Sequence, residues 1–299
     1  MTTLRDAPSA TVRPPRHAGH PGSPGSRHPA VRRALAYLGL VAVTLLMLVP
    51  FGWMLSASLK RDSEVLAIPI DWIPDELRWS NFVDIWERVP MATYLANSVF
   101  LSATITFLQV LTGSFAAYGF SKVRFPGRDA LFLGYLATIA VPWQAYMVPQ
   151  YIMMQRLELT DTYWSLILLQ AFGAFGVFLM RQYYMSIPDE LCEAARIDGL
   201  SDYGIYRRIM LPLSKPALAS LALLTFVNTW NDYMGPFIYL TSNELWTVQL
   251  GLRSFVGQYE AEHAMIMTGA VLSVLPILVL FLFGQRYFIQ GVATSGLKG

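Results

Sequence analysis

Residues 193–212 read EAARIDGLSDYGIYRRIMLP, a polar stretch that lies between two long apolar segments. Glu193-Ala194-Ala195 is followed after three residues by Gly199, and the stretch closes nine residues later with Ile209-x-Leu211-Pro212. A lone Glu-Ala-Ala is common and carries little information. The complete spaced pattern is far more specific, so its position relative to the apolar segments decides how the chain is interpreted.

The composition excludes an ordinary soluble protein. Of the 299 residues, 54% are hydrophobic and only 14% are charged, whereas a soluble domain carries about 25% charged residues. The apolar residues form runs of about 20 residues, the length that crosses the hydrocarbon layer as a helix. We therefore predict an all-α integral membrane protein with six transmembrane helices, near residues 34–56, 94–118, 130–153, 164–184, 216–240 and 264–285.

The first 33 residues differ from the rest of the chain. Residues 1–33 are rich in Pro, Gly, Ser, Arg and His and contain few apolar side chains, a composition typical of disorder. The apolar run that follows is too long for the core of a cleaved signal peptide. The prediction is a disordered cytoplasmic tail over 1–33 and one transmembrane domain over 34–299.

Basic residues set the predicted orientation, because cytoplasmic loops favour Lys and Arg. One alternating set of segments, containing both termini and the loops 119–129 and 185–215, holds 16 basic residues when Arg181 is included. The other set, loops 57–93, 154–163 and 241–263, holds 6 basic and 12 acidic residues. The chain is thus expected to be a multi-pass protein of the cell membrane with both termini and the loop 185–215 in the cytoplasm.

Local signals predict two short helices in the loop 185–215. Ser186-x-x-Asp189 has the spacing of a capping box, and Gly199 suits a left-handed helix stop. Ser201 is placed to cap the second helix, and Pro212 is expected to end it.

One face of the first of these helices is expected to be apolar. Leu191, Ala194 and Ala195 share that face by their spacing of three and four residues, and alanines let another protein approach the backbone closely. Glu193 is expected to pair with Arg196 or with a cation of a partner.

Several kinds of site are not supported by the sequence. Cys192 is the only cysteine, and the four histidines lie outside the apolar segments, so no metal site and no catalytic cluster is predicted. The chain contains no Gly-Lys dipeptide and therefore no phosphate-binding P-loop. We predict that the chain is not an enzyme, binds no cofactor itself and has no nucleic-acid partner.

The spaced pattern resembles the cytoplasmic coupling loop of permease subunits in binding-protein-dependent ABC importers, and most of residues 34–299 is similar to the maltose-type carbohydrate branch of that family. Cys192 departs from the branch, which often has an acidic residue there, and is expected to alter the charge of the docking surface. The similar segments are Asn97-Ser98, Ala116–Lys122, Arg124–Arg128, Pro149, Asp161-Thr162, Ser186–Leu191, Trp230–Asp232, Gln285–Phe288 and Gly296–Gly299.

The resemblance implies the fold of a type I ABC importer permease and a set of partners. These are a second permease subunit, two cytoplasmic subunits that bind ATP and Mg, an external solute-binding protein, and membrane lipid. A sugar would enter the cell by alternating access, driven by ATP hydrolysis on the partner subunits. The residues that it assigns to ATPase coupling are Glu193, Ala194, Ala195, Asp198, Gly199, Ile209, Leu211 and Pro212.

A polar stripe in the fifth apolar segment is the candidate substrate path. Thr225, Asn228, Asn231 and Asp232 fall on one helical face, just before Gly235-Pro236 interrupts the helix. A charge within a span is costly, and such groups usually face protein or a water-filled cavity. Asp232 would accept hydrogen bonds from the hydroxyl groups of a sugar. Alternatively, it caps a helix or forms a hydrogen bond between helices.

Two other transporter classes remain as alternatives. An ion-coupled secondary transporter would be expected to show more intramembrane carboxylates or histidines and often an internal repeat, and only Asp232 stands out here. An ABC permease for a substrate of the glycerol-phosphate type would share the same coupling loop.

Overall fold

The structure, a computed structural model, describes residues 29–257 and 261–296, and the side-chain surroundings of residues 31–257 and 261–285. The described residues up to Pro50 and those from Phe51 onward fall into two units, and each is described by itself. Residues 1–28 of the predicted tail lie outside the described part. The first helix begins at Pro29, five residues before the predicted start of the transmembrane domain.

All regular elements of the described residues are helical, apart from an isolated antiparallel bridge between Val256 and Ala261. A π-helical turn covers Tyr206–Met210, and 3-10 turns cover Thr138–Ala140, Trp143–Ala145, Asn243–Leu245 and Leu252–Phe255. The α-helices are α1 (Pro29–Ser58), α2 (Asp62–Val65), α3 (Asn81–Arg88), α4 (Met91–Lys122), α5 (Arg128–Ala137), α6 (Met147–Arg156), α7 (Tyr163–Gln170), α8 (Ala174–Met185), α9 (Asp189–Ile197), α10 (Asp202–Ile205), α11 (Leu211–Leu213), α12 (Lys215–Trp230), α13 (Met234–Tyr239), α14 (Val248–Gly251) and α15 (His263–Gly296).

The long helices carry the membrane character of the chain. Four stretches of the described residues are long and apolar enough to cross a membrane, and the bent pair Asp202–Leu213 with Lys215–Trp230 makes a fifth candidate. Large apolar side chains on these helices point outward; on α15, for example, Leu282 is 64% and Phe283 77% exposed. Such apolar surfaces are unfavourable in water and favourable in contact with lipid. The four stretches are Val31–Ser58, Met91–Lys122, Tyr163–Met185 and His263–Gln285.

The third predicted span is not one continuous helix, so the prediction for 130–153 was wrong in this respect. α5 ends at Ala137 and α6 begins at Met147, and two 3-10 turns lie between them. The cause is Pro142, which has no N–H to donate and forces Val141 out of the helical region, to φ −84° and ψ 115°. Trp143 Nε1 then donates to Gln150 Oε1 at 2.9 Å and ties the interruption to α6.

Three helices, α4, α8 and α12, pack against one another and form the centre of the second unit. Close approach is possible because Gly113 of α4 lies against the backbone of α8: a Cβ on Gly113 would come within 3.4 Å of the carbonyl carbon of Gly176. Small residues serve helix contacts in membranes because apolar burial against lipid gives little driving force there.

The fourth and fifth predicted spans are also interrupted, and the two interruptions are close in space. α7, which ends at Gln170, is separated from α8 by residues 171–173, and α12 is separated from α13 by residues 231–233. Gln170 Nε2 donates to Asp232 Oδ2 at 2.9 Å across this gap. The helix breaks thus bring an amide and a carboxylate together in the interior of the helical unit.

Candidate functional site

The loop 185–215 folds as the sequence predicts, with two corrections at its ends. Gly199 has φ +81° and Ser201 Oγ accepts from Gly204 N at 3.3 Å, so both are the predicted stop and cap. Ser186 does not form the expected capping box; its hydroxyl donates to Tyr183 O, and Pro188 occupies the N-cap of α9. Pro212 does not end the second helix, which continues to Leu213 and then turns by 78° into α12.

α9 has one buried face and one exposed face. Cys192 and Ala195 are 2% and 4% exposed and pack into the apolar core shared with α4, α8 and α12. Glu193 and Ala194 are exposed, and Leu191 is 45% exposed. Ala195 therefore does not share the outer face with Ala194 as predicted. Cys192 is buried as well, so it does not contribute to the outer surface of α9, and burial raises the pKa of its thiol.

Charged side chains clamp α9 to the end of α4. The Lys122 ammonium, 3% exposed, donates to Ile187 O at 2.7 Å and forms an ion pair with Asp189. This bond to Lys122 holds the pKa of the Asp189 carboxyl below its ordinary value. Arg196 pairs with Asp202 at 3.1 Å, so the expected pair between Arg196 and Glu193 is replaced by a link from α9 to α10.

The eight residues that the resemblance assigns to ATPase coupling differ in their exposure to solvent. Ala195 is in the core, and Ile209 and Leu211 are partly buried against it. The other five are exposed: Glu193, Ala194, Asp198, Gly199 and Pro212. The sequence did not predict that Lys122 belongs to this site. Its position as a basic residue at the end of an apolar span could have indicated such a role.

A second site surrounds Asp232. A cavity of about 670 Å³ is lined by Asn228, Asn231 and Asp232 of the predicted stripe; we call it the polar cleft. Thr225 does not reach it; this side chain is 7% exposed and its hydroxyl donates to Gln109 Oε1 at 3.3 Å. The remaining lining residues are Gln109, Trp143, Tyr146, Gln150, Leu166, Leu169, Gln170, Phe172, Tyr233, Met234, Gly235 and Tyr239.

Asp232 makes the structural contacts that the sequence offered as the alternative to sugar binding, and it also lines the polar cleft. Its Oδ2 accepts from Gln170 Nε2 at 2.9 Å, and its Oδ1 accepts from Gly235 N at 3.0 Å, at the start of α13. It bonds between helices, caps a helix and also lines the polar cleft. Gln109 Nε2 in turn donates to Gln170 O at 2.7 Å, so amides hold the wall of the cleft together.

Metal binding has no support in the described part of the chain, where no group of three or more His, Cys, Asp or Glu side chains could hold an ion. Asp232 also has no cationic partner among the described residues. The side chains around it include amides and aromatic rings, which can hydrogen-bond to and pack against a polar organic solute.

Comparison with known families decides the identity of the molecule. The family described as "Binding-protein-dependent transport system inner membrane component" matches residues 109–294, which include the loop 185–215, the polar stripe and most of α15. The chain belongs to this family. It is a membrane-embedded permease subunit of an ABC importer, as the resemblance in the sequence predicts.

Two relatives agree over nearly the whole chain. The arabinooligosaccharides transport system permease protein AraQ of Halalkalibacterium halodurans is 34% identical over 89% of this chain and 96% of its own length. The sn-glycerol-3-phosphate transport system permease protein UgpE of Pectobacterium atrosepticum is 33% identical over 87% of this chain and 90% of its own length. The similarity therefore extends well beyond the loop 185–215.

A solved structure supports the fold directly. One chain of a bacterial ABC transporter involved in the import of the acidic polysaccharide alginate superposes with a TM-score of 0.76 at 25% identity. The match covers 88% of this chain and 98% of that chain. A second alginate transporter structure, in complex with a substrate-loaded periplasmic protein, matches with a TM-score of 0.59 at 15% identity and shows the fold alone.

Proposed function

We propose that this chain forms one half of the membrane channel of an ABC importer that brings a carbohydrate into the cell. The observation that carries the proposal is the two-sided packing of α9. One face of this helix packs into the apolar core and the other is exposed, in a chain that belongs to the permease family. Such a helix passes the motion of a cytoplasmic partner to the spans on either side of it. The partners are a second permease, two ATP-binding subunits that hold ATP and Mg, and an external solute-binding protein.

We further propose that six segments cross the cell membrane, with both termini in the cytoplasm. The distribution of basic residues supports this orientation. The interrupted pair α5 and α6 forms the third crossing and α12 with α13 forms the fifth. Broken helices of this kind are tolerated in membranes where their free backbone groups face protein or a water-filled cavity, and residues of both interruptions line the polar cleft.

The carbohydrate assignment rests on two kinds of support. The relative AraQ is named for arabinooligosaccharide transport, and the polar cleft offers amide and carboxylate groups that can bond to hydroxyls. We place the translocation path along Asn228, Asn231 and Asp232, with Thr225 supporting the wall from behind. Replacing Asp232 by Ala should lower solute uptake and substrate-coupled ATP hydrolysis while the transporter still assembles.

A charge reversal on the exposed face of α9 tests the coupling role. Glu193→Lys should insert into the membrane normally but lose the ATP-binding subunits during affinity purification, or retain them without substrate-stimulated ATP hydrolysis. Glu87→Lys, an exposed change on α3 outside the loop, is the matched control and should behave as the wild type. Normal coupling in the Glu193 variant would rule out the proposed mechanism.

The single buried cysteine makes a direct docking measurement possible. Because Cys192 is buried and burial raises its pKa, its thiol should react slowly with a maleimide, so Ala194→Cys can be followed in the otherwise native chain. We expect rapid labelling of the Ala194→Cys permease alone and protection of that site after the ATP-binding subunits are added. Equal labelling with and without those subunits would place the docking surface elsewhere.

A further inference from the structure

The polar cleft also constrains the charge of the solute. Resting on the proposed function of this cleft, we propose that this subunit passes neutral saccharides and selects against anionic solutes such as sugar acids and phosphorylated polyols. The family relationships leave this choice open, because relatives of both kinds are similar to this chain: one is named for arabinooligosaccharides, and others for sn-glycerol 3-phosphate and alginate.

The lining of the polar cleft suits a neutral molecule rich in hydroxyl groups. None of the described side chains that line it is Lys, Arg or His. Amides both donate and accept hydrogen bonds, which matches hydroxyls, and aromatic rings give flat apolar surfaces for the C–H faces of a sugar ring. Five amides and five aromatic rings contribute: Gln109, Gln150, Gln170, Asn228, Asn231, Trp143, Tyr146, Phe172, Tyr233 and Tyr239.

The charge of Asp232 works against an anion. The described contacts of its carboxylate are the Gln170 amide and the Gly235 N–H, which are dipoles and leave its net charge uncompensated. In a site of low effective dielectric constant, like charges within about 10 Å repel enough to change an equilibrium by roughly tenfold. A carboxylate or phosphate that enters the cleft meets this repulsion and finds no cation on this wall.

A described cation that contacts α13, Arg253, packs on an aromatic ring. Arg253 lies with its guanidinium 4.4 Å from the centre of the Phe237 ring on α13. It is not among the residues that line the polar cleft. Selectivity for anions would need a cation such as Arg or Lys in the wall itself, because a bidentate or point-charge partner must reach the anion directly.

The experiment compares two classes of solute in the assembled transporter. Complexes of this chain with its second permease and ATP-binding subunits are reconstituted into liposomes together with the co-purified solute-binding protein. Uptake is measured for labelled arabinotriose, maltotriose and diacetylchitobiose as neutral probes, and for glycerol 3-phosphate and an alginate trisaccharide as anionic probes. Because the binding protein selects solutes as well, the decisive quantity is the anion-to-neutral uptake ratio of each variant divided by that of the wild type.

We expect ATP-driven uptake of at least one neutral probe and little or none of the anions. Asn228→Lys, which places a cation in the cleft wall, should raise the anion-to-neutral ratio by roughly tenfold, and Asn228→Asp should lower it. Gln155→Lys, an equal change on the exposed surface of α6 outside the cleft, should leave the ratio unchanged. Size-exclusion profiles verify that each complex assembles.

The outcomes separate the two proposals. If the wild type imports glycerol 3-phosphate or the alginate trisaccharide as well as any neutral probe, the charge selectivity is wrong while the importer function stands. The same conclusion follows if both Asn228 variants assemble and neither changes the ratio. If no probe is taken up and the binding protein does not stimulate ATP hydrolysis, the proposed function fails, and the selectivity fails with it.

Discussion

The coupling loop and the polar cleft are built in opposite ways. In the loop, Cys192 and Ala195 are buried in an apolar core shared with three long helices. In the cleft, helix ends meet through amides, and Asn228 and Asn231 are exposed. Close-packed cores transmit displacement because they compress little, whereas an open polar wall can exchange its hydrogen bonds with a passing solute. Under the proposed function, the packed loop transmits motion and the open cleft contacts the solute.

The largest expected effect tests the packed side of this comparison. Ala195→Glu puts a carboxylate into the apolar core beneath α9, and an unpaired buried charge costs several kcal/mol. We expect loss of folded protein in detergent, measured by fluorescence-detected size exclusion and thermal unfolding. Ala194→Glu, one residue earlier and exposed, should change stability by no more than about 0.5 kcal/mol.

The pair is decisive because the two substitutions are chemically identical. Equal stability of the two variants would mean that α9 is not anchored by its Ala195 face. Equal loss of folded protein would mean that the Ala194 face is also covered within the chain. Either result would remove the distinction between an anchored and a free surface on which the coupling proposal depends.

A smaller effect tests the cleft. A Cβ on Gly235 would lie 2.4 Å from Asp232 Oδ2 and 3.2 Å from a Leu166 methyl group, so Gly235→Ala must displace the carboxylate from Gln170. Overpacking of this kind costs about 1–3 kcal/mol, and we expect uptake to fall by roughly tenfold. Gly134→Ala on α5, where a Cβ meets nothing within 4 Å, is the control and should transport normally.

An unchanged uptake rate in Gly235→Ala would show that the position of the Asp232 carboxylate does not matter for transport. A fall in both alanine variants would indicate a general sensitivity to helix packing. The expected contrast with the loop is that Gly235→Ala lowers transport more than assembly, whereas Ala195→Glu lowers assembly itself.

The two regions were also unequally predictable from sequence. Spacing and local caps placed Gly199 and Ser201 correctly, because a left-handed stop and an N-cap depend on neighbouring backbone atoms alone. The faces of α9 were only partly predicted. Period alone grouped Ala195 with Ala194, whereas the position of the transmembrane core, which depends on distant segments, buries Ala195 and leaves Ala194 exposed.

The cleft shows the limit of periodicity more clearly. The spacing from Thr225 to Asp232 predicted one continuous polar face, yet Thr225 is buried against Gln109 and only the later part of the stripe reaches the cavity. The span predicted over 130–153 was continuous, but Pro142 interrupts it, because the residue before a proline is also driven from helical geometry. Residues from separate segments form this site, and a local sequence pattern cannot predict which distant segments come into contact.

The smallest expected effect concerns the ion pair that clamps α9 to α4. The bond from Lys122 holds the pKa of Asp189 below its ordinary value of 3.8. A carboxyl whose pKa is lowered by folding stabilises the folded state above its ordinary pKa, and this contribution is lost as the pH falls through the folded-state pKa. Asp189→Asn should therefore lower stability by about 1 kcal/mol near pH 7, a modest value because the Asp189 side chain is 69% exposed to solvent.

The pH dependence distinguishes the pair from a local helix effect. As the pH is lowered below about 4, the melting temperatures of the wild type and Asp189→Asn should converge, because protonation removes the same charge that the substitution removes. Glu190→Gln changes a neighbouring exposed carboxylate at the same helix end and has no described ion pair to lose. If Glu190→Gln destabilises the protein as much as Asp189→Asn, favourable charge at the start of α9 explains the effect, and Lys122 is not the clamp that joins the loop to α4.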